Sequence, residues 1–496
     1  MILYLLRQST ALRSCRSLTS YPIRIRHSPS VRNPRGRLPL QKTFQSMKDD
    51  NISTPRDQCQ WRPTGAPGSL ERLCNVSLRA CQLMNPLISS VYQQLISSNL
   101  DKDSICAAGG VKKLKQDNSA FTIADGLVQR LLTDILYSHV AFRDIVGEEE
   151  DDEECNNHTG GESWYQVQGL AIPNELRPVV ESTKISIDAL AEAYVLSEKN
   201  NTASNKKCLD YQTLTVFIDP IDGTREFSTG MGEQCSVCIG FANEYGKAVA
   251  GVIYRPLSYP QPTWVAGAKS ERFAVCDFGG DNMIQSLDNS SSTSLLEMNS
   301  NGNMDRRGLL TTNGSISPFL ESLIEELQSE RVKSGGAGNK LMMLLEQSIF
   351  GNHADGRSVL YIQDRGVSRW DTCGAEGVLE AYGGKLMKLT TFLPATMYGK
   401  EEQEQSKFNR ESYTYLASPT NLDFISGVPT ITKYNCSPTT KDVQGNQKAL
   451  EVNDVKAYSN LCGLVAFGKE WNTPEGIMYI EKAIQRTAMI HPPSFD

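Results

Sequence analysis

The stretch that most constrains this chain is Phe217-Ile218-Asp219-Pro220-Ile221-Asp222-Gly223-Thr224-Arg225-Glu226-Phe227. A run rich in β-branched residues, Thr213 to Ile218, leads into it and reads as a strand. Pro220 fixes its own φ and removes a donor, so the strand is expected to stop there. The turn it forces can bring Asp219 and Asp222 to one point in space. Gly223 permits tight backbone passage, and Thr224 can cap whatever follows. Two carboxylates and the freed carbonyl of Ile221 make a cluster of hard oxygens, the donor type that Mg²⁺ prefers. The plain alternative is an Asx-type turn between a strand and a helix.

Around this stretch the pattern is mixed helix and strand. Apolar residues recur at helical spacing from Leu73 to Leu100, with Pro86 expected to interrupt them. A one-faced helix is predicted from Ala124 to Leu136, with Asp125 in its first turns. Ile145-Val146-Gly147 is a short apolar run ending in Glu148-Glu149-Glu150. Residues 148–163 and 200–207 are polar and read as loops or insertions, and residues 236–242 and 247–254 read as a β-hairpin. Residues 285–304 are Ser/Asn-rich and are expected to be a loop or linker. The second half alternates: strands at 309–312, 358–362, 385–389 and 460–467, and helices at 318–327, 341–349, 370–382 and 474–488. That rhythm suggests an α/β domain.

Composition narrows the class. The chain has 496 residues, 39% hydrophobic and 22% charged, enough for two domains. No run of 18 apolar residues occurs, so no transmembrane helix is expected. Thirteen cysteines lack paired spacing, and Cys235 and Cys238 form a lone C-x-x-C. Free buried thiols fit this better than zinc or disulfides. None of the five histidines lies in a motif, and Gly335–Lys340 does not have the spacing of a P-loop. Residues 1–48 carry eight Arg, two Lys, seven Ser and no acid, the composition of a transit peptide. A mitochondrial destination is expected, with plastid or cytoplasm as alternatives. Removing those ten cations would take the net charge from −7 to −17. So acidic a body argues against nucleic-acid binding, and an anionic substrate would need local cations.

The Asp-Pro-Ile-Asp-Gly-Thr motif resembles the signature of the inositol monophosphatase superfamily, the Mg²⁺-dependent, lithium-sensitive phosphatases. Other elements match it in type and order: Thr122-Ile123-Ala124-Asp125, Gly147-Glu148-Glu149, and Trp370-Asp371 followed by Gly383-Gly384. The resemblance covers most of residues 75–390. It implies two or three Mg²⁺ held by Glu148, Asp219, the Ile221 carbonyl, Asp222 and Asp371. It also implies that Asp125 and Thr224 orient the attacking water. Read from the residues alone, Asp125 could be an ordinary helix aspartate and Asp371 a helix N-cap.

The Glu-Phe after Arg225, the Gly-Gly-Ala-Gly-Asn-Lys at 335–340 and Trp370-Asp371-Thr372-Cys373 resemble the bisphosphate nucleotidase branch. That resemblance implies substrate contacts at Thr312, Gly336 and Lys340, beside the amides of Gly223 and Thr224. The branch has a histidine three residues after the second threonine, where this chain has Ser315.

The expected fold is α/β, a two-domain layered sandwich of the sugar-phosphatase type. It would comprise residues 70–284 as an N-terminal α+β metal-binding domain, 285–304 as linker and 305–496 as a C-terminal α/β domain. The expected reaction is hydrolysis of a small phosphate monoester, adenosine 3',5'-bisphosphate or its sulfated form first. An inositol phosphate is the second candidate, and a non-catalytic phosphometabolite sensor is the more distant one.

Overall fold

Six strand-forming runs between residues 144 and 277 pair in sequence order. β1 (Asp144–Gly147), β2 (Thr215–Asp222), β3 (Ser236–Ala242), β4 (Ala248–Arg255), β5 (Thr263–Ala268) and β6 (Phe273–Asp277) lie side by side in one six-stranded sheet. β1 runs parallel to β2, and every later pair is antiparallel. The computed structural model describes residues 64–100, 112–114, 120–149, 164–199, 211–279, 307–350, 358–364, 367–394, 414–416, 459–460 and 463–493. All of them fall within one unit, Gln60–Asp496.

Every residue of β2 and β3 is buried, so this sheet is covered on both faces. Alternate residues go to different cores. Val216 and Ile218 join a cluster with α1 (Leu70–Leu100), α2 (Ile123–Arg130) and α3 (Arg177–Lys199). Phe217 and Cys238 face a second cluster with α6 (Ala337–Phe350) and α7 (Arg369–Ala381). Between α3 and α6 in sequence come the short α4 (Thr224–Thr229) and α5 (Pro318–Glu326).

The second sheet uses β7 (Arg307–Thr311), β8 (Ser329–Lys333), β9 (Ser358–Gln363), β10 (Lys385–Lys388) and β11 (Leu464–Phe467), in the order β8-β7-β9-β11-β10. β7 is parallel to both β8 and β9, and β11 is antiparallel to both its neighbours. The final helix, α8 (Pro474–Ile490), packs into a third cluster with α5. The described residues form a mixed α/β fold.

Helix α7 comes from the second half of the chain but lies on the first sheet, and its approach needs glycine. A Cβ on Gly251 of β4 would stand 2.0 Å from the Gly374 carbonyl oxygen, and one on Gly240 of β3 would stand 2.3 Å from the Gly374 nitrogen. No side chain fits between helix and sheet here. Residues 414–416 add to this layer. The Tyr415 amide donates to the Gly246 carbonyl at 2.8 Å, and its hydroxyl donates to buried Glu376 at 2.5 Å.

Several sequence expectations need correction. Pro86 lies inside an unbroken α1; it is exposed while Met84, Leu87 and Ile88 are fully buried. Packing of that face outweighs the roughly 3 kcal/mol a helical proline costs. Pro220 does not end the strand. β2 runs on to Asp222, with an irregularity in its pairing to β3 between Asp219 and Asp222 that absorbs the missing donor. Helix α3 lies between the polar stretches 148–163 and 200–207, and neither it nor strands β5 and β8 shows in the sequence pattern. The helix after Asp125 passes into π-type turns at Leu131–Leu136. Residues 1–48 and 285–304 lie outside the described residues, as do 150–163, 200–207 and all of 398–455 except 414–416.

Candidate active site

The site collects where β2 ends. The shifted register between Asp219 and Asp222 turns both carboxylates toward the start of α7, which carries Asp371. Ligand oxygens of Asp219, Asp222 and Asp371 lie within 4.8 Å of one another. Asp219 is 1% exposed, and its Oδ1 has no hydrogen-bond partner among the described residues.

Three carboxylates this close are not at rest as ions. Burial pushes the Asp219 carboxyl well above the usual range, and the charges of Glu148, Asp222 and Asp371 push further. Burial chiefly lifts Asp371 to about 7, against a bond with Asp219 that pulls it down. Asp222 is also raised by burial, with the Lys340 ammonium opposing. An orphaned oxygen in a buried all-carboxylate cluster is what a hard divalent cation would satisfy, so the donor set fits Mg²⁺. Glu148 stands outside the tight triad, half-buried at the end of β1. Its charge is nonetheless the first of the neighbouring charges acting on Asp219.

Each ligand candidate is held by backbone geometry. The Glu148 amide donates to the Ile218 carbonyl at 3.0 Å, next to Asp219. The plain alternative for Asp371, a helix N-cap, does not hold: the cap is Ser368, and Asp371 is the third helical residue, accepting the Ser368 amide at 2.7 Å. The pair forms a capping box. Asp222 has a second duty. Its carboxylate accepts the Ala337 and Gly338 amides at 2.7 Å each and the Ser236 hydroxyl at 2.8 Å. It therefore caps α6, favourably placed at the positive end of the helix dipole.

That arrangement corrects a second expectation. Lys340 lies within α6, which begins four residues before the expected 341, and the first amides of that helix are taken by Asp222. Lys340 is buried; its Nζ donates to the Gly336 carbonyl at 2.8 Å and lies 5.1 Å from the centre of the Tyr361 ring. Gly336 has φ +64°, and a Cβ there would meet the Gln234 carbonyl at 2.7 Å and Asp222 Oδ2 at 2.8 Å. It lets the helix start come up to Asp222. Gly223, at φ +85°, abuts it.

The Asp125–Thr224 pair is formed. Thr224 Oγ1 is 3.1 Å from Asp125 Oδ1 and 2.9 Å from the Ile221 carbonyl. The other Asp125 oxygen accepts the Thr122 amide at 2.8 Å and the Thr122 hydroxyl at 2.5 Å.

A cavity of about 340 Å³ adjoins these groups, and Asp222, Thr312, Lys340 and Asp371 are among its lining residues. It opens at the carboxyl ends of β7 and β9, parallel neighbours whose outgoing connections diverge. In open α/β sheets that crevice is where ligands bind. Ser315, Ser317, Tyr361 and Asp364 also line it. Of these, only Ser315 was named from sequence. Gly223 and Gly336 are not in the lining. Ser236 and Ser368, which hold two of the carboxylates, carry no motif signal.

Comparison with known proteins bears on this geometry. Residues 179–414 match the sequence model of the inositol monophosphatase family. The match covers just under half of the chain. Among curated members, a 3'(2'),5'-bisphosphate nucleotidase 1 of Mus musculus is 28% identical over 226 residues, covering 44% of this chain and 65% of the relative. The Golgi-resident adenosine 3',5'-bisphosphate 3'-phosphatase of Mus musculus is 26% identical over 178 residues, 36% and 43% of the two chains. The chain thus spans 43% to 65% of the length of these curated relatives. Among solved structures, the suhB extragenic suppressor protein of Bartonella henselae aligns over 84% of this chain and 98% of its own, at 13% identity and TM-score 0.41.

Proposed function

We propose that this chain is a Mg²⁺-dependent phosphate monoester hydrolase that removes the 3' phosphate of adenosine 3',5'-bisphosphate or its sulfated form. The observation that carries the reading is the convergence of Asp219, Asp222 and Asp371 within 4.8 Å, with an unpartnered buried oxygen, beside a cavity also lined by Lys340. Asp219, the Ile221 carbonyl, Asp222, Asp371 and Glu148 would hold two or three ions. When bound, such ions supply positive charge to the phosphate oxygens and make a nearby water more acidic.

The chain's own groups define the rest. The single Thr224 hydroxyl proton is committed to Asp125 or to the Ile221 carbonyl. Toward a water beside the carboxylates, Thr224 Oγ1 would therefore act as an acceptor. It would take a hydrogen bond from the attacking water, aim the water's lone pair at phosphorus and relay the proton to Asp125. The amides of Gly223 and Thr224 would hold phosphate oxygens. Lys340 would raise the local positive potential at the cavity wall, where Thr312 offers a hydroxyl to the rest of the substrate.

The adenosine bisphosphate reading is supported by the names of the curated relatives and by the glycine-lysine turn. Ser315 in the lining, in place of the branch's histidine, favours a second reading, an inositol phosphate as substrate. A phosphate-release screen with Mg²⁺ over both substrate classes tests both. Adenosine 3',5'-bisphosphate is expected to give the higher kcat/KM. A preference for inositol phosphates overturns the substrate, and no Mg²⁺-dependent release from any phosphate ester overturns the hydrolase.

A further inference from the structure

We propose that Gln129 is a positioning residue that sets where the Glu148 carboxylate can reach, an inference that rests on the metal-dependent reading above. Gln129 sits in α2 and is 5% exposed. Its Nε2 donates to the Glu149 carbonyl at 2.6 Å, and its Oε1 accepts the Glu149 amide at 2.9 Å. One side chain thus grips both backbone groups of the residue that follows Glu148. On the other side, the Glu148 amide is tied to the Ile218 carbonyl at 3.0 Å, one residue before Asp219. Glu148 is therefore pinned fore and aft, and its backbone cannot turn without breaking three hydrogen bonds.

The contact is close as well as bidentate. A Cβ on Gly147 would fall 2.2 Å from Gln129 Cδ and Oε1, so the amide lies against the Gly147 backbone. Asp125 precedes Gln129 by four residues and shares its helix face. One face of α2 thus meets both sides of the site: Asp125 binds the Thr224 hydroxyl, and Gln129 binds the end of β1. Glutamine suits this duty because it donates and accepts at once. A glutamate could not donate to the Glu149 carbonyl and would add a like charge beside Glu148.

Groups that orient metal ligands typically change affinity 10–100-fold when lost. The test is Mg²⁺ binding by calorimetry to the full chain as wild type, Gln129→Met, Glu148→Ala and the double variant. Gln129→Met is expected to raise the Mg²⁺ Kd at least tenfold while kcat at saturating Mg²⁺ stays within a few-fold. On the Glu148→Ala background the same change should have almost no further effect, because Gln129 acts through Glu148. A merely structural role would persist there. If Gln129→Met does not fold, Gln129→Asn, which keeps the amide one methylene short, is measured in the same cycle. Unchanged Kd, or additive effects in the cycle, overturns the proposal. Failure of the wild type to bind Mg²⁺ overturns instead the reading on which it rests.

Discussion

Asp219→Asn should stabilise the metal-free protein while abolishing its response to Mg²⁺. Carboxylate oxygens within 4.8 Å of each other repel by roughly 3 kcal/mol per ionised pair at an effective dielectric of 20. Burial chiefly, and the charges of Asp222 and Glu148 after it, lift Asp371 to about 7, so near neutrality it still holds part of its proton and part of this repulsion is not felt. At pH 8 Asp371 has given up most of its proton. Replacing one charge by an isosteric amide should then return about 1–3 kcal/mol, visible as a rise of several degrees in the melting temperature without metal. Mg²⁺ at a hundredfold excess over its Kd should stabilise the wild type by about 2.7 kcal/mol and the variant by almost nothing. Phosphate release should fall with the Mg²⁺ response. The assay is thermal melting with EDTA and with Mg²⁺, beside turnover. A variant that melts at or below the wild type in EDTA, or that Mg²⁺ stabilises equally, refutes the reasoning.

Further outcomes follow from the same geometry. Thr224→Ala should lower kcat about a hundredfold with little change in Mg²⁺ affinity, since the hydroxyl meets Asp125 and a carbonyl; single-turnover kinetics beside calorimetry separates the two. Lys340→Ala should raise KM more than it lowers kcat if the ammonium acts on the substrate, which steady-state kinetics reads. Asp219, Asp222 and Asp371 all have raised values, so the folded protein holds protons that the unfolded chain has released. Metal-free stability should therefore be greatest below about pH 4 for this cluster's contribution, and fall as pH rises through 7; Mg²⁺ should flatten the fall, as melting curves at pH 5 and pH 8 would show. A fluorescent fusion of residues 1–60 is expected to reach mitochondria, and a diffuse cytosolic signal defeats that expectation.

The parts of the site legible in the sequence are those fixed by local geometry. Asp219, the Ile221 carbonyl, Asp222 and Thr224 come from one six-residue stretch at the end of β2, so their spacing along the chain already keeps them near each other. Thr122 and Asp125 are also neighbours, joined in a single capping box. What the sequence does not display is the partner of each group across the fold. Asp222 caps α6 through amides more than a hundred residues away, and nothing near Asp222 announces that. Gly240, Gly251 and Gly374 read as scattered glycines, yet together they let α7 carry Asp371 onto the first sheet. Gln129 reads as a polar residue on a helix surface; only the fold puts it under Glu149. Helix α3 was hidden because it follows an acidic, polar stretch and carries charged residues among its apolar ones.

The most direct test of the metal site is anomalous scattering from crystals grown with Mn²⁺ in place of Mg²⁺. The account predicts at least two peaks about 3.5–4 Å apart, bounded by Asp219, Asp222 and Asp371, with Glu148 on one of them. Crystals with Mn²⁺ bound elsewhere, or with no peak between these carboxylates, would contradict it.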